Sequence, residues 1–355
     1  MGFEKTALVE DVLSEDWKRW IAENKMRGID DQRLVEVLVQ NGVEKQTAAK
    51  EIAALEQHPY FRAGHLVAQK LRKIESLLDV YSNLALTHPS ARFKTIERRS
   101  NLPRDEFIAE YYAANRPVVL HDLMNDWQAR TLWNPEYLRN TCGKETVEVM
   151  AGRDSDRHYE INSELHKRTM LFSEYIDHIL EGGKSNDYYL VANNNLLSRD
   201  SMKHLYDDIG IFPEYLDSDN VDRGVFFWFG PAGTVTPLHH DAMNIFMAQV
   251  FGRKRITLIP SCQIHRVYNE IGVYSEVDCE KPDYNEFPEF YNVPMQRFVL
   301  RPGEVLFIPV GWWHHVRSLD VSITVSFTNF LFPNHYEWNE PLIQKRGVWP
   351  ANDHS

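Results

Sequence analysis

Gly233-Thr234-Val235-Thr236-Pro237-Leu238-His239-His240-Asp241 reads as a strand carrying a His-x-Asp pair. Seventy-five residues beyond His239, Gly311-Trp312-Trp313-His314-His315-Val316 forms a second strand-like run with histidines. Neighbouring side chains on a strand point to opposite faces, so His239 and Asp241 share one face and His240 takes the other. Two imidazoles and one carboxylate on one side of a metal leave its other side open, the donor pattern of a non-haem Fe(II) site. At the second segment His314 and His315 diverge, so only one can enter, and parity leaves that choice open. The same donors can hold Zn²⁺, but zinc favours four-coordination with a bound water.

Outward from this pair the chain is rich in short strands. Val225–Phe229, Ile245–Phe251, Lys254–Ile259, Arg297–Leu300, Val305–Ile308, His314–Arg317 and Ser322–Phe327 all carry β-forming residues, with turn signals at Gly252-Arg253 and Arg301-Pro302-Gly303-Glu304. Such a series predicts an antiparallel sandwich or barrel that closes on itself, such as a jelly roll. Within Lys254-Arg255-Ile256-Thr257-Leu258, alternation sets Lys254 on the face of Ile256 and Leu258, which looks into the core. An interior ammonium needs an anionic partner, because an unpaired one costs several kcal/mol. A dicarboxylate co-substrate would supply it.

Upstream, residues 1–90 read as helical. Ser14 caps a helix with Trp17, Trp20 and Ile21 on one stripe, and Asp30 caps another that stops at Gly42. A third runs from Lys45 to Leu55. A longer helix between Pro59 and Pro89 carries Val67, Leu71, Ile74, Leu78 and Tyr81 at heptad-like spacing, a candidate docking or homodimer face. From about residue 92 the character changes. A helix is expected from Pro103 through Tyr111, a strand at Arg116–Leu120, and helical patches at Leu171–Ile179 and Ser198–Tyr206. The fold class is therefore α+β: a jelly-roll core over residues 91–340 with flanking helices, the helical region 1–90, and a tail at 341–355.

The 355 residues carry a net charge of −12, which disfavours a nucleic-acid partner. No run reaches the roughly 18 apolar residues of a membrane span. Three scattered cysteines, Cys142, Cys262 and Cys279, form no disulfide framework, and a cytoplasmic setting is expected.

These segments resemble the Jumonji-C family in its cupin-like hydroxylase branch. The first ligand strand, its continuation Asn244-Ile245-Phe246-Met247-Ala248-Gln249-Val250-Phe251-Gly252-Arg253-Lys254-Arg255, the run Leu300–Pro309 and Trp312-Trp313-His314 carry the likeness. Asn115-Arg116-Pro117-Val118-Val119, Asp126-Trp127 and Tyr188-Tyr189-Leu190 extend it over residues 92 to 335. The resemblance implies a double-stranded β-helix and an oxygenase using Fe(II), 2-oxoglutarate and O2. It implies His239, Asp241 and His314 as metal ligands, with Thr236, Lys254 and Tyr189 at the distal carboxylate of 2-oxoglutarate. Thr236 has the wrong strand parity for this unless Pro237 bends the chain. Asn244 and Ser326 are further co-substrate candidates. Ile245 holds the place where the family often has an asparagine four residues after the aspartate, and Ser326 stands where a related hydroxylase has an asparagine on the last core strand.

The expected activity is hydroxylation of an unactivated C–H on a side chain of a peptide or protein. A free amino acid or small metabolite is the alternative substrate, and a metal-binding cupin scaffold without turnover the alternative of another class. Trp312 and Trp313 are expected to pack around the site. The segment from Tyr268 to Tyr291 is read as a solvated loop over the barrel mouth, or as an acidic rim for a cationic residue. Asn193-Asn194-Asn195 are candidate peptide contacts.

Overall fold

The core strand β1 (Glu97–Arg99) was not expected, whereas those from β2 (Val118–Leu120) onward lie where the sequence places strands. A computed structural model describes residues 13–87, 95–191, 196–269, 272–334 and 336. The triple asparagine at 193–195 and the tail at 341–355 lie outside the described residues. The chain divides into two compact units, Met1–Tyr81 and Ser82–Ser355.

In the first unit, α1 (Glu15–Met26), α2 (Asp31–Gln40) and α3 (Lys45–Gln57) enclose a core of Leu13, Ile21, Leu34, Leu38, Ala48 and Ile52. The Ser14 hydroxyl and the Asp30 carboxylate accept the N–H groups of Trp17 and Arg33, the capping bonds that their positions predicted. The long helix α4 spans Pro59–Thr87, and Val67, Leu71, Ile74 and Tyr81 on its stripe are exposed.

The second unit is built on two sheets. The larger contains β1 (Glu97–Arg99), β2 (Val118–Leu120), β5 (Val225–Gly230), β7 (Ile245–Phe251), β10 (Val305–Ile308) and β12 (Ser322–Phe327), in the order β1-β2-β10-β7-β12-β5. The smaller contains β6 (Val235–His239), β8 (Lys254–Ile259), β9 (Gln296–Leu300) and β11 (Trp313–Ser318), in the order β6-β11-β8-β9. Apart from β1 against β2, all these pairs are antiparallel. Val119, Leu306 and Ile308 of the larger sheet meet Ile256, Leu258, Leu300 and Val316 of the smaller in one apolar cluster, so the sheets face each other as the expected jelly roll.

Helices cover the outer face of the larger sheet. They are α5 (Arg104–Phe107, continued by a wide turn through Tyr112), α6 (Ala129–Leu132), α7 (Pro135–Cys142) and α9 (Phe172–Glu181), while the short α8 (Ser163–His166) lies beside β3 (Thr146–Met150). Phe107, Trp133 and Tyr175 bury against Phe227, Phe229, Phe246 and Phe327 there. A separate hairpin of β3 (Thr146–Met150) and β4 (Lys167–Leu171) was not foreseen, since Lys167-Arg168-Thr169 offers no apolar alternation.

The segment after β8 differs from the solvated loop expected of it. Val277, Cys279, Phe287 and Phe290 pack with Leu238, Ile259 and Trp313 on the outer face of the smaller sheet. Its apolar residues outweigh its carboxylates, so it forms a third layer. Among the described residues no helix is long and apolar enough to cross a membrane.

Candidate metal centre and co-substrate cavity

The parity conflict at Thr236 is resolved by a β-bulge. On β11, His314 pairs with His239 and Val316 with Thr236, so an advance of two residues on β11 matches three on β6. Such a step inserts one extra residue into a strand and re-aims its side chains. It falls at Pro237-Leu238, where proline has no N–H to give the ladder. Thr236 and His239 both face the interior as a result, while Leu238 turns outward into the third layer.

His239, Asp241 and His314 offer ligand atoms that all lie within 4.8 Å of one another. The His314 Nε2 is 3.3 Å from an Asp241 oxygen, and the two imidazole centroids are 4.0 Å apart. Each ring has Nδ1 on the carbonyl oxygen two residues back: His239 on Pro237 at 2.8 Å, His314 on Trp312 at 3.1 Å. Donation from Nδ1 fixes the tautomer and leaves the Nε2 lone pair for a metal, as outer hydrogen bonds to ligand histidines commonly do. Burial first, and the nearby His314 second, push His239 down to about 3, so it is the neutral form that binds metals. Burial alone would raise the Asp241 carboxyl. The His314 hydrogen bond and the two imidazoles outweigh it and hold the group at about 2.

His315 points to the other face of β11 and pairs with Thr257, away from the triad. The His240 ring packs edge-on against Trp313 at 4.7 Å. Trp312 and Trp313 are both buried, and the Trp312 indole donates to Asn115.

Beside the triad lies a cavity of about 380 Å³, walled by Tyr189, Thr236, Trp228, Met247, Tyr274 and Ser326 among others. Lys254 is buried as alternation required. Its Nζ lies 3.3 Å from the Tyr189 hydroxyl, a wall residue of the cavity. Burial alone brings its ammonium down to about 7, and no carboxylate of the described residues offsets this. A buried cation facing a cavity wall without its own anion fits the distal carboxylate of 2-oxoglutarate. Ser326 lines the same cavity and accepts a hydrogen bond from the Trp228 indole at 2.8 Å.

Asn244 is not brought to the cavity. Its side chain is engaged by Val310, Asn334 and Tyr336, because the chain turns it away from the metal after Asp241.

Sequence reasoning did not single out Arg153, Glu160, Trp228 or Tyr274. Arg153 is fully buried, pairs with Glu160 at 2.7 Å, donates to the Val235 carbonyl and stacks over Tyr159 and Tyr189. Glu160 and Tyr274 line the metal cavity and also a second one of about 360 Å³, with Glu276, Asp278 and Arg317 on its walls. Trp228 could have been found, since alternation along β5 puts Phe226 and Trp228 on the face opposite Phe227 and Phe229. Arg153 and Glu160 sit in a polar loop with no periodic signal.

A family model for a cupin-like domain matches residues 103–334, and the chain belongs to that family. With the triad in place the class is defined: a Jumonji-C-type dioxygenase dependent on Fe(II) and 2-oxoglutarate, with O2 as oxidant. The chain is similar to the Arabidopsis thaliana protein named lysine-specific demethylase JMJ30, 34% identical over 309 residues, which covers 82% of this chain and 68% of that one. It is 36% identical over 232 residues to lysine-specific demethylase 8 of Xenopus tropicalis, covering 63% of this chain and 50% of the relative. With tRNA wybutosine-synthesizing protein 5 of Gallus gallus it shares 28% identity over 238 residues, covering 63% and 73%. The chain spans about half the length of the frog and zebrafish demethylase 8 proteins.

Proposed function

We propose that the chain hydroxylates an unactivated C–H on an amino-acid side chain within a peptide or protein. The observation that carries this reading is the pair of adjoining cavities. The metal cavity shares Glu160 and Tyr274 with its neighbour, whose walls add Glu276, Asp278 and Arg317, so residues flanking a reacting side chain have a second cavity to enter, which a free metabolite would not need.

Fe(II) with 2-oxoglutarate supplies the O2 activation and the oxidation. The protein's residues do the rest. His239, Asp241 and His314 would hold the metal. Lys254 and Tyr189 would orient the co-substrate by its far carboxylate, with Thr236 beside them. Trp228, Met247 and Ile308 keep the cavity walls apolar. Arg153 pairs with Glu160, which lines both cavities.

Three of the relatives are named as lysine demethylases, and hydroxylation of an N-methyl carbon is the same C–H chemistry. The test is incubation with Fe(II), 2-oxoglutarate, air and a panel of peptides with and without methylated lysine. Mass spectrometry would read the gain of one oxygen, and a second assay released formaldehyde. Peptide-dependent succinate with an added oxygen supports the proposal, and Asp241→Ala should abolish it. Formaldehyde without retained oxygen would move the reading to demethylation. Turnover with free amino acids but no peptide would reject it.

A further inference from the structure

Asp241 and His314 arrive from different segments, one just past the end of β6 and the other in β11. A metal site that binds tightly needs their separation fixed before the ion arrives. The β6–β11 ladder pairs His314 with His239, and past its end the Gly311 N–H donates to the Asp241 carbonyl at 3.1 Å. Beyond the ladder, a buried side chain adds further ties.

Asn244 is 1% exposed and uses both ends of its amide. Its Oδ1 accepts the Val310 N–H at 2.9 Å, in the turn just ahead of His314. Its Nδ2 donates to the Asn334 Oδ1 at 2.9 Å and to the Tyr336 hydroxyl at 3.2 Å. Asn334 returns the contact: its Oδ1 also accepts the Asn244 N–H at 2.7 Å, and its Nδ2 donates to the carbonyls of Asn244 and Thr328 at 3.0 and 2.8 Å. Three segments therefore converge on one amide: the turn after Asp241, the turn before His314, and the chain beyond β12. Asn115 donates to the Val310 carbonyl at 2.9 Å, so Val310 is held at both its N–H and its carbonyl.

We propose that Asn244, clasped by Asn334, is a positioning residue that sets the separation of Asp241 and His314, and that the chain following the last core strand is thereby part of the metal centre. An asparagine suits this task because its amide accepts and donates at once. Alanine would orphan the buried Val310 N–H and release the Asn334 side chain together.

The test is titration of the full-length apo-protein with Co(II), read by visible absorption and calorimetry well below each variant's melting temperature. Asn244→Ala should weaken Co(II) binding by about 10–100-fold, the range for losing an outer partner of a metal ligand, and shift the absorption bands. Asn334→Ala, which keeps the Val310 bond, should give a smaller loss. Val149→Ala, a core truncation remote from the metal, should lower stability without changing Co(II) affinity. Wild-type affinity and spectrum in Asn244→Ala would overturn the proposal. Should that variant fail to fold, unchanged affinity in Asn334→Ala would overturn it. A loss in Val149→Ala equal to that in Asn244→Ala would also do so, by showing that stability alone controls binding.

Discussion

Replacing Lys254 by methionine separates what the residue costs the fold from what it gives the site. Its ammonium is buried and brought down from 10.5 to about 7 by desolvation alone. At pH 7 that difference corresponds to about 4 kcal/mol of destabilisation carried by the native state, an order-of-magnitude figure from linkage. Methionine keeps the stem and drops the charge. The metal-loaded, co-substrate-free variant should therefore melt on the order of 10 °C above wild type, at roughly 2–4 °C per kcal/mol for a unit of this size. The sign with pH follows from the depressed value. Between about 7 and 10.5 the unfolded chain binds the extra proton, so wild-type stability gains on the variant as pH rises through that window. The gap is widest below pH 7 and closes towards 10.5. Co-substrate binding should move the opposite way. Leaving a buried carboxylate without its cation costs about 3 kcal/mol or more, at least a hundredfold in dissociation constant. Paired thermal melts from pH 6 to 9, with calorimetry of an oxygen-inert 2-oxoglutarate mimic on the Mn(II)-loaded proteins, read both effects. A variant that melts lower and binds the mimic as tightly as wild type would refute the assignment of Lys254.

Arg153→Met should cost about 3–5 kcal/mol by stranding the Glu160 carboxylate in a buried site. Burial already raises the Glu160 carboxyl, so the deficit should shrink as acid neutralises it; a deficit in urea melts that grows on acidification would reject the pairing. Gly252→Ala puts a Cβ 2.1 Å from the Val321 carbonyl oxygen at a φ of +69°, and should cost about 2 kcal/mol or more by distorting the turn that aims Lys254 inward. An unchanged denaturation midpoint would show that the turn is not as described.

The sandwich was legible because alternation and turn residues encode it locally, strand by strand. His239 with Asp241, and the inward direction of Lys254, followed from the same period of two. What parity could not decide was anything that depended on register between strands. His314 and His315 are equivalent on their own strand, and only pairing with His239 separates them. Thr236 looked misplaced because a bulge is invisible to a rule that counts every residue. Asn244 lies one position before the place where an asparagine was expected, and the turn sends it to the Val310 peptide instead of the cavity. Of the carboxylates between residues 276 and 289, Glu280 is committed to Arg255 and Arg317 while Glu276 and Asp278 line the second cavity, a division that charge alone does not reveal. Arg153 and Glu160 were missed because a buried ion pair in an irregular loop leaves no periodic trace.

The fixed charges of the site explain why metal and co-substrate belong together. Arg153 and Glu160 cancel locally, burial holds the His239 imidazole towards neutrality, and His314 lies against Asp241. What remains is one carboxylate at the triad and, when protonated, one buried ammonium behind Tyr189. A divalent cation alone would answer Asp241 and leave Lys254 unmatched. A dicarboxylate alone would answer Lys254 while bringing its second charge towards Asp241. A dication and a dianion entering together add no net charge and set each charge against its opposite. Each should therefore bind more tightly in the presence of the other, a coupling expected from Asp241 on the cavity wall and Lys254 behind Tyr189.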